Sequence, residues 1–224
     1  MKKITGGIFG VWKPKGPSSY DVIRVLKHMT TEKKIGHAGT LDPLASGILV
    51  IAIGREATKK ISNEVAKEKE YVASVRLGVT SSTDDREGIK TRNISAKKIS
   101  KEEVQNAVNK FEGKIMQVPP VYSAIKMQGK EAYKRTRAGE KIVMKPREAL
   151  IKEIEILSYR WPYLSIRVVT GPGVYIRSLA RDIGGALGVG GYLANLIRTR
   201  VGTYTKKDAL HPKVKHSRIK KRSK

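Results

Sequence analysis

Residues 36–47, GHAGTLDPLASG, hold one acid, Asp42, in a glycine-punctuated stretch just ahead of the apolar run Ile48 to Ile53. A carboxylate there has two possible jobs. Asp followed by Pro43 is a common helix start, with the acid as N-cap and proline at the first helical position. A tight turn at a strand entrance instead presents the carboxylate to a substrate as a nucleophile. Residues 44–47 leave room for at most one helical turn, so a cap would have little helix to serve. His37 can pack or bond to backbone; His28, His211 and His216 are far away in sequence and cysteine is absent, so no metal site is expected. Arg177, beside Tyr175 and shortly after Gly173, is by composition alone a solvated surface group. Tyr71 opens an apolar strand face and reads as core with its hydroxyl at the edge.

The chain of 224 residues carries 46 Lys+Arg against 20 Asp+Glu, a net charge of +26 that favours a polyphosphate partner. A merely solubilising surface charge is the plain alternative. With no cysteine, disulfides, thiolate catalysis and cysteine-ligated metals are excluded, and a reducing cytoplasm fits. No apolar run approaches the roughly 20 residues that span a bilayer, so neither a membrane segment nor a signal peptide is expected. Gly113-Lys114 is followed by Ile115 and Gly129-Lys130 by Glu131, so no phosphate-binding loop of the Walker type is present.

Periodicity supplies the elements that must hold these residues. Ser19 is positioned to cap a helix with Val22, Val25, Leu26 and Met29 on one face, and Ser100 with Glu103 forms a capping box before Val104, Ala107, Val108 and Phe111. Alternation predicts strands through Tyr71, Ala73, Val75 and Leu77 and through Leu164, Ile166 and Val168; Ile48 to Ile53 suits a strand buried on both faces. A third helix is expected from near Tyr175, and a fourth with Leu193, Leu196 and Ile197 inward. The fold class is therefore α+β, with one domain over residues 1–210. Residues 117–147 read as a basic insertion or loop carrying Lys126, Lys130, Lys134, Arg135 and Arg137. Residues 211–224 form a basic tail expected to be disordered when free.

Five segments in order, KPKGPSS from Lys13, GHAGTLDPLASG from Gly36, KEYV from Lys69, QVPPVYSAIK from Gln117 and GVYIRSLARDIG from Gly173, resemble the successive motifs of the TruB-type tRNA pseudouridine synthases. The match runs from about Ile8 to about Thr203. The resemblance implies a mainly antiparallel central sheet flanked by helices and the pseudouridine synthase catalytic fold. It further implies that Asp42 is the nucleophile, that Tyr71 stacks on the target base and that Arg177 ion-pairs with the aspartate. His37 would help hold the T-loop open, Tyr175 and Leu196 would line the base pocket, and Lys13 and Pro14 would buttress it. The implied substrate is the T-loop uridine at position 55 of tRNA, gripped at T-loop and T-stem by the insertion, with no cofactor, no obligatory protein partner and a monomeric cytoplasmic enzyme. Larger members continue into a separate C-terminal RNA-binding domain, which this sequence is expected to lack. Two other readings share the fold: a non-catalytic RNA chaperone or ribosome-associated protein, and a guide-RNA-directed catalytic subunit.

Overall fold

The structure, a computed structural model, describes residues 4–93 and 96–214. The chain divides into two compact units, Met1–Tyr71 with Ile197–Lys224, and Val72–Leu196. The first contains β1 (Gly7–Lys13), α1 (Ser19–Lys27), β2 (Ile35–Ala38), β3 (Ala45–Ile53), α2 (Arg55–Lys59), α3 (Ile61–Ala66) and the start of β4 (Lys69–Leu77). The second contains the rest of β4, then β5 (Val79–Ser81), β6 (Lys90–Arg92), α4 (Lys101–Asn109), β7 (Gly113–Gln117), β8 (Lys126–Met127), β9 (Lys130–Glu131), α5 (Ala132–Arg137), β10 (Arg147–Arg160), β11 (Tyr163–Thr170) and α6 (Ile176–Ala186). The chain returns to the first unit along β12 (Gly191–Val201) and ends its regular structure with β13 (Tyr204–Thr205). Within each unit the described strand pairings are antiparallel, as the mixed α+β expectation requires.

In the first unit β3 is flanked on both edges, by β1 with Val11 opposite Leu49 and by β2 with Ala38 opposite Val50. The side chains of residues 48–53 are all buried, which is why their pattern is continuous rather than alternating. Ala38, Ile48, Val50 and Val201 form a core cluster against which Ile8, Trp12, Ile61, Tyr204 and Ala209 pack. Each fully buried aliphatic side chain there contributes about 1.5–3 kcal/mol.

Helix α1 begins one residue earlier than its sequence suggests. Ser18, not Ser19, is the N-cap: its hydroxyl accepts from the Asp21 amide at 3.2 Å, and the Asp21 carboxylate accepts from the Ser18 amide at 2.9 Å. Adjacent serines make this ambiguous from sequence, and Asp at the third helical position replaces the Glu of the usual box. Val22 and Leu26 are buried as expected. The box at Ser100 and Glu103 on α4 forms as read, with Val104, Ala107 and Val108 buried.

The expected fourth helix is a strand. Leu193, Leu196 and Ile197 lie on β12, whose buried positions are 191, 193, 196, 198 and 201. Two slips in the alternation give gaps of three, and a strand with such slips imitates helical spacing.

In the second unit β10 pairs with β11 on one edge and β7 on the other. Gln117, the last residue of β7, is opposite Arg147, the first of β10, so the basic excursion leaves and rejoins the sheet at paired residues. It is more than a loop. β8 and β9 form a small hairpin, and α5 follows. Of the expected tail, residues from 215 onward lie outside those described, whereas Leu210 is held against β1 by exchanging backbone hydrogen bonds with Gly10 and Trp12 at 2.9 and 2.8 Å. No helix among the described residues is long and apolar enough to cross a membrane.

Candidate active site

Asp42 does not cap a helix. It opens a turn closed by the Ala45 amide donating to the Asp42 carbonyl at 3.0 Å, and β3 starts at once. The connection from β2 to β3 is therefore a short loop with a half-buried carboxylate near its middle. Its backbone is fixed from several sides. The Ser19 hydroxyl, spared from capping, donates to the Leu41 carbonyl at 2.8 Å and accepts from the Leu41 amide at 2.9 Å. The Gly16 amide donates to the Pro43 carbonyl at 2.8 Å. Lys13, fully buried at the end of β1, donates from Nζ to the carbonyls of Ala45 at 2.6 Å and Pro14 at 2.9 Å.

A further cation, Arg198 on β12, completes this frame. It is 2% exposed; Nε donates to the Ile48 carbonyl at 2.7 Å and Nη2 to the Gly39 carbonyl at 3.0 Å. Two glycines make the approach possible. Gly39 is left-handed at φ +77°, and a Cβ on Gly47 would stand 2.2 Å from the Arg198 carbonyl oxygen. Lys69, also buried, donates from Nζ to the carbonyls of Val65 at 2.8 Å and Lys67 at 2.5 Å. Lys69 and Tyr71 are two apart on β4 and share its buried face.

Burial shifts the proton affinities of these groups, with Arg198 adding to it. Burial pushes Lys13 down to about 8; Asp42 opposes the shift, Arg198 adds to it and Asp21 opposes it. Burial, with Arg198 adding, likewise lowers Lys69 to about 8. His37 on β2 is lowered by burial and then by Arg198, so its imidazole is neutral at pH 7, and its Nδ1 is enclosed with no hydrogen-bond partner among the described residues. A guanidinium cannot release its proton, so the lysines and histidine yield to Arg198.

The two lysines set a stability expectation. Unfolded, each holds its proton up to the ordinary 10.5; folded, each releases it near 8. Between those values the unfolded chain binds more protons, so stability rises with pH. Below about 8 both forms are protonated and the cost of burying the charge is fully present. Lys67 and Lys134 are shifted upward and so act only above 10.5. The urea midpoint is expected to be higher at pH 10 than at pH 7.5, with a smaller rise in Lys69→Met. An unchanged or falling midpoint would show that the ammonium groups are not desolvated.

In the second unit Tyr175 is the N-cap residue of α6 and Arg177 lies in its first turn. Arg177 is 7% exposed rather than solvated. Its Nη2 donates to the Tyr122 carbonyl at 2.8 Å, Nη1 to the Thr83 carbonyl at 3.4 Å, and Nη1 stands 3.8 Å from the Asp85 carboxylate. Asp85 is itself held by the Thr83 hydroxyl at 2.6 Å and the Glu87 amide at 2.9 Å. Buried Gln117 grips Tyr175 in both directions: Nε2 donates to its carbonyl at 3.1 Å and Oε1 accepts from its amide at 2.9 Å. Leu196 is buried on β12. On the insertion Lys126, Lys130, Lys134 and Arg137 are exposed; Lys134 pairs with Glu131 at 2.9 Å, and half-buried Arg135 is tied to Glu140 at 2.6 Å.

The structure thus brings Asp42 and Lys13 together, with His37 on the strand leading into their loop, and places Tyr175 and Arg177 on one helix start. Sequence reasoning did not single out Arg198, Lys69, Asp85 or Gln117, and it read Ser19 as a helix cap. Gln117 and Lys69 fall inside quoted motifs. For Arg198 the one signal is Gly47, a glycine inside an otherwise aliphatic strand, which marks close approach of another backbone.

The chain that frames this carboxylate is similar to pseudouridylate synthases. The model described as TruB family pseudouridylate synthase, N terminal domain, matches residues 27–176, and the tRNA pseudouridylate synthase B C-terminal domain matches residues 177–215. The chain belongs to the TruB family and is a pseudouridine synthase. It is 40% identical over 205 residues to tRNA pseudouridine synthase B of Clostridium tetani, covering 92% of this chain and 71% of that one. It is 41% identical over 211 residues to the protein of the same name from Parabacteroides distasonis, covering 92% and 89%. Among solved structures it superposes on a Cbf5-Nop10-Gar1 complex with TM-score 0.71 and 30% identity, and on an H/ACA RNP bound to a substrate RNA containing 2'-deoxyuridine with TM-score 0.68 and 28% identity. It covers 92% of its own length in both but spans only about half of those chains, 52% and 50%.

Proposed function

We propose that this chain isomerises the T-loop uridine at position 55 of tRNA to pseudouridine, with Asp42 as nucleophile. The observation that carries the reading is the Asp42 loop, where one carboxylate is presented on a backbone held by Ser19, Gly16, Lys13 and Arg198. The reaction breaks the N1–C1′ bond, turns the base and joins C5 to C1′; the proton on C5 leaves and N1 gains one, with no net oxidation. The base must leave its stack, at a cost of a few kcal/mol. Tyr71 offsets part of that by stacking, worth about 1–3 kcal/mol. Asp42 serves as covalent nucleophile or stabilises a developing sugar cation, and Arg177 keeps it ionised. His37, half-buried on β2, helps hold the T-loop open.

The exposed basic residues of the insertion, Lys126, Lys130, Lys134 and Arg137, contact phosphates and position the RNA, while groups near the pocket specify it. Arg135 supports them by closing α5 onto Glu140. The enzyme works as a single chain without cofactor. An unmodified tRNA transcript incubated with the purified chain is expected to gain pseudouridine at position 55, and a transcript with cytidine there is expected to gain none. Tight binding without any new nucleoside would favour the chaperone reading, and a requirement for added guide RNA would favour the guided one.

A further inference from the structure

We propose that Arg198 is a positioning residue for the isomerisation: its guanidinium ties the start of the Asp42 loop to the strand that follows it and so sets where the carboxylate stands. The inference rests on Asp42 being the nucleophile. Gly39 opens the loop and Ile48 lies in β3 beyond it, and each carbonyl has its own donor on the Arg198 fork, at 3.0 and 2.7 Å. Lys13 takes the Ala45 carbonyl between them, so three carbonyls from Gly39 to Ile48 are held by two buried cations. An arginine is required for this task. Its planar fork supplies two fixed donors where an ammonium supplies a single point, and its charge is permanent where those of Lys13 and Lys69 are not.

Burying a guanidinium to 2% exposure against backbone carbonyls is costly, and an apolar residue would pack the same strand without that cost. The arrangement is also built from both sides of the contact. Gly47 has no side chain where the Arg198 backbone passes, and left-handed Gly39 turns its carbonyl toward Nη2. The charge has a second effect. Arg198 lies close enough to lower the proton affinity of Lys13, Lys69 and His37 together, so the frame around Asp42 depends on one side chain for both shape and potential.

The test compares wild type, Arg198→Lys and Arg198→Met by single-turnover tritium release from labelled tRNA at saturating enzyme, with tRNA affinity and folded fraction measured in parallel. Arg198→Lys keeps the charge but gathers its donors on one nitrogen, so it loses the spacing by which Nε and Nη2 reach Ile48 and Gly39 separately. Its rate per folded molecule is expected to fall by about 10- to 100-fold, the scale on which a misplacement of about 1 Å acts, with tRNA affinity unchanged. Hydrogen exchange at the Leu41 and Ala45 amides is expected to quicken, which reads the clamp without reference to activity. Arg198→Met removes the charge as well. Lys13 then faces only Asp42 and Asp21 among the charges that bear on it, so its titration, about 8 in wild type, is expected to move upward. A wild-type rate per folded molecule in Arg198→Lys, or a loss matched by the loss of folded protein, would overturn the proposal. If wild type forms no pseudouridine, the functional reading fails and the positioning role with it. Faster exchange in Arg198→Lys would then leave the clamp as a purely structural feature.

Discussion

Asp42→Asn is expected to abolish pseudouridine formation while leaving tRNA affinity within about twofold of wild type, because the change removes a charge and little else. Asparagine has the shape and hydrogen-bonding reach of aspartate, and the backbone of the loop has holders of its own. Leu41 is held by Ser19, Pro43 by the Gly16 amide, Ala45 by Lys13, and Gly39 and Ile48 by Arg198. The turn itself is closed by the Asp42 backbone carbonyl, which asparagine retains. What is lost is the anion, and removal of a covalent nucleophile costs on the order of 10⁴-fold or more. A second consequence is local. Asp42 is the largest influence raising the proton affinity of Lys13, so in Asp42→Asn that lysine is expected to titrate below its wild-type value of about 8. Single-turnover tritium release and filter binding decide the matter. A rate near wild type would remove Asp42 from the chemistry.

The fold was legible wherever one local signal decided the element. The capping box at Ser100, the alternation from Tyr71 to Leu77 and the aliphatic run to Ile53 each have one structural solution, and each formed. The sequence was ambiguous where two signals coincided. Ser18 and Ser19 both offer a capping hydroxyl, and only the fold shows that the second is used to hold Leu41. On β12 the slipped alternation placed Leu193, Leu196 and Ile197 at helical spacing, so an edge of tertiary geometry outweighed periodicity. Within the site, Asp42 stood out as a lone acid between glycines. Arg198 did not, because one arginine among 46 basic residues carries no mark of being buried. Its importance comes from acceptors at Gly39 and Ile48, 159 and 150 residues away in sequence. Long-range partners of that kind leave no periodicity behind.

Gly47→Ala is expected to be the most damaging single methyl that can be added to this loop. The glycine is in β3, opposite Lys13 of β1, with φ at +124°, where an L side chain is strained before any contact is considered. A Cβ there would lie 2.2 Å from the Arg198 carbonyl oxygen, 2.6 Å from its amide nitrogen and 2.8 Å from its carbonyl carbon. These are backbone atoms of a paired strand and cannot swing aside as a side chain would. Relief requires β12 to move away from β3, which draws the Arg198 fork off Ile48 and Gly39 and loosens the Asp42 loop. A loss above about 4 kcal/mol is expected, in the range reserved for such steric faults. Gly139→Ala is the matched control: φ is +85° there, but nothing lies within 4 Å of the added carbon, so only the left-handed strain of about 1–2 kcal/mol applies. Urea unfolding of the two variants separates clash from strain. If Gly47→Ala loses no more stability than Gly139→Ala, then β12 does not press on the loop as closely as these distances require, and the frame around Asp42 is looser than its hydrogen bonds imply.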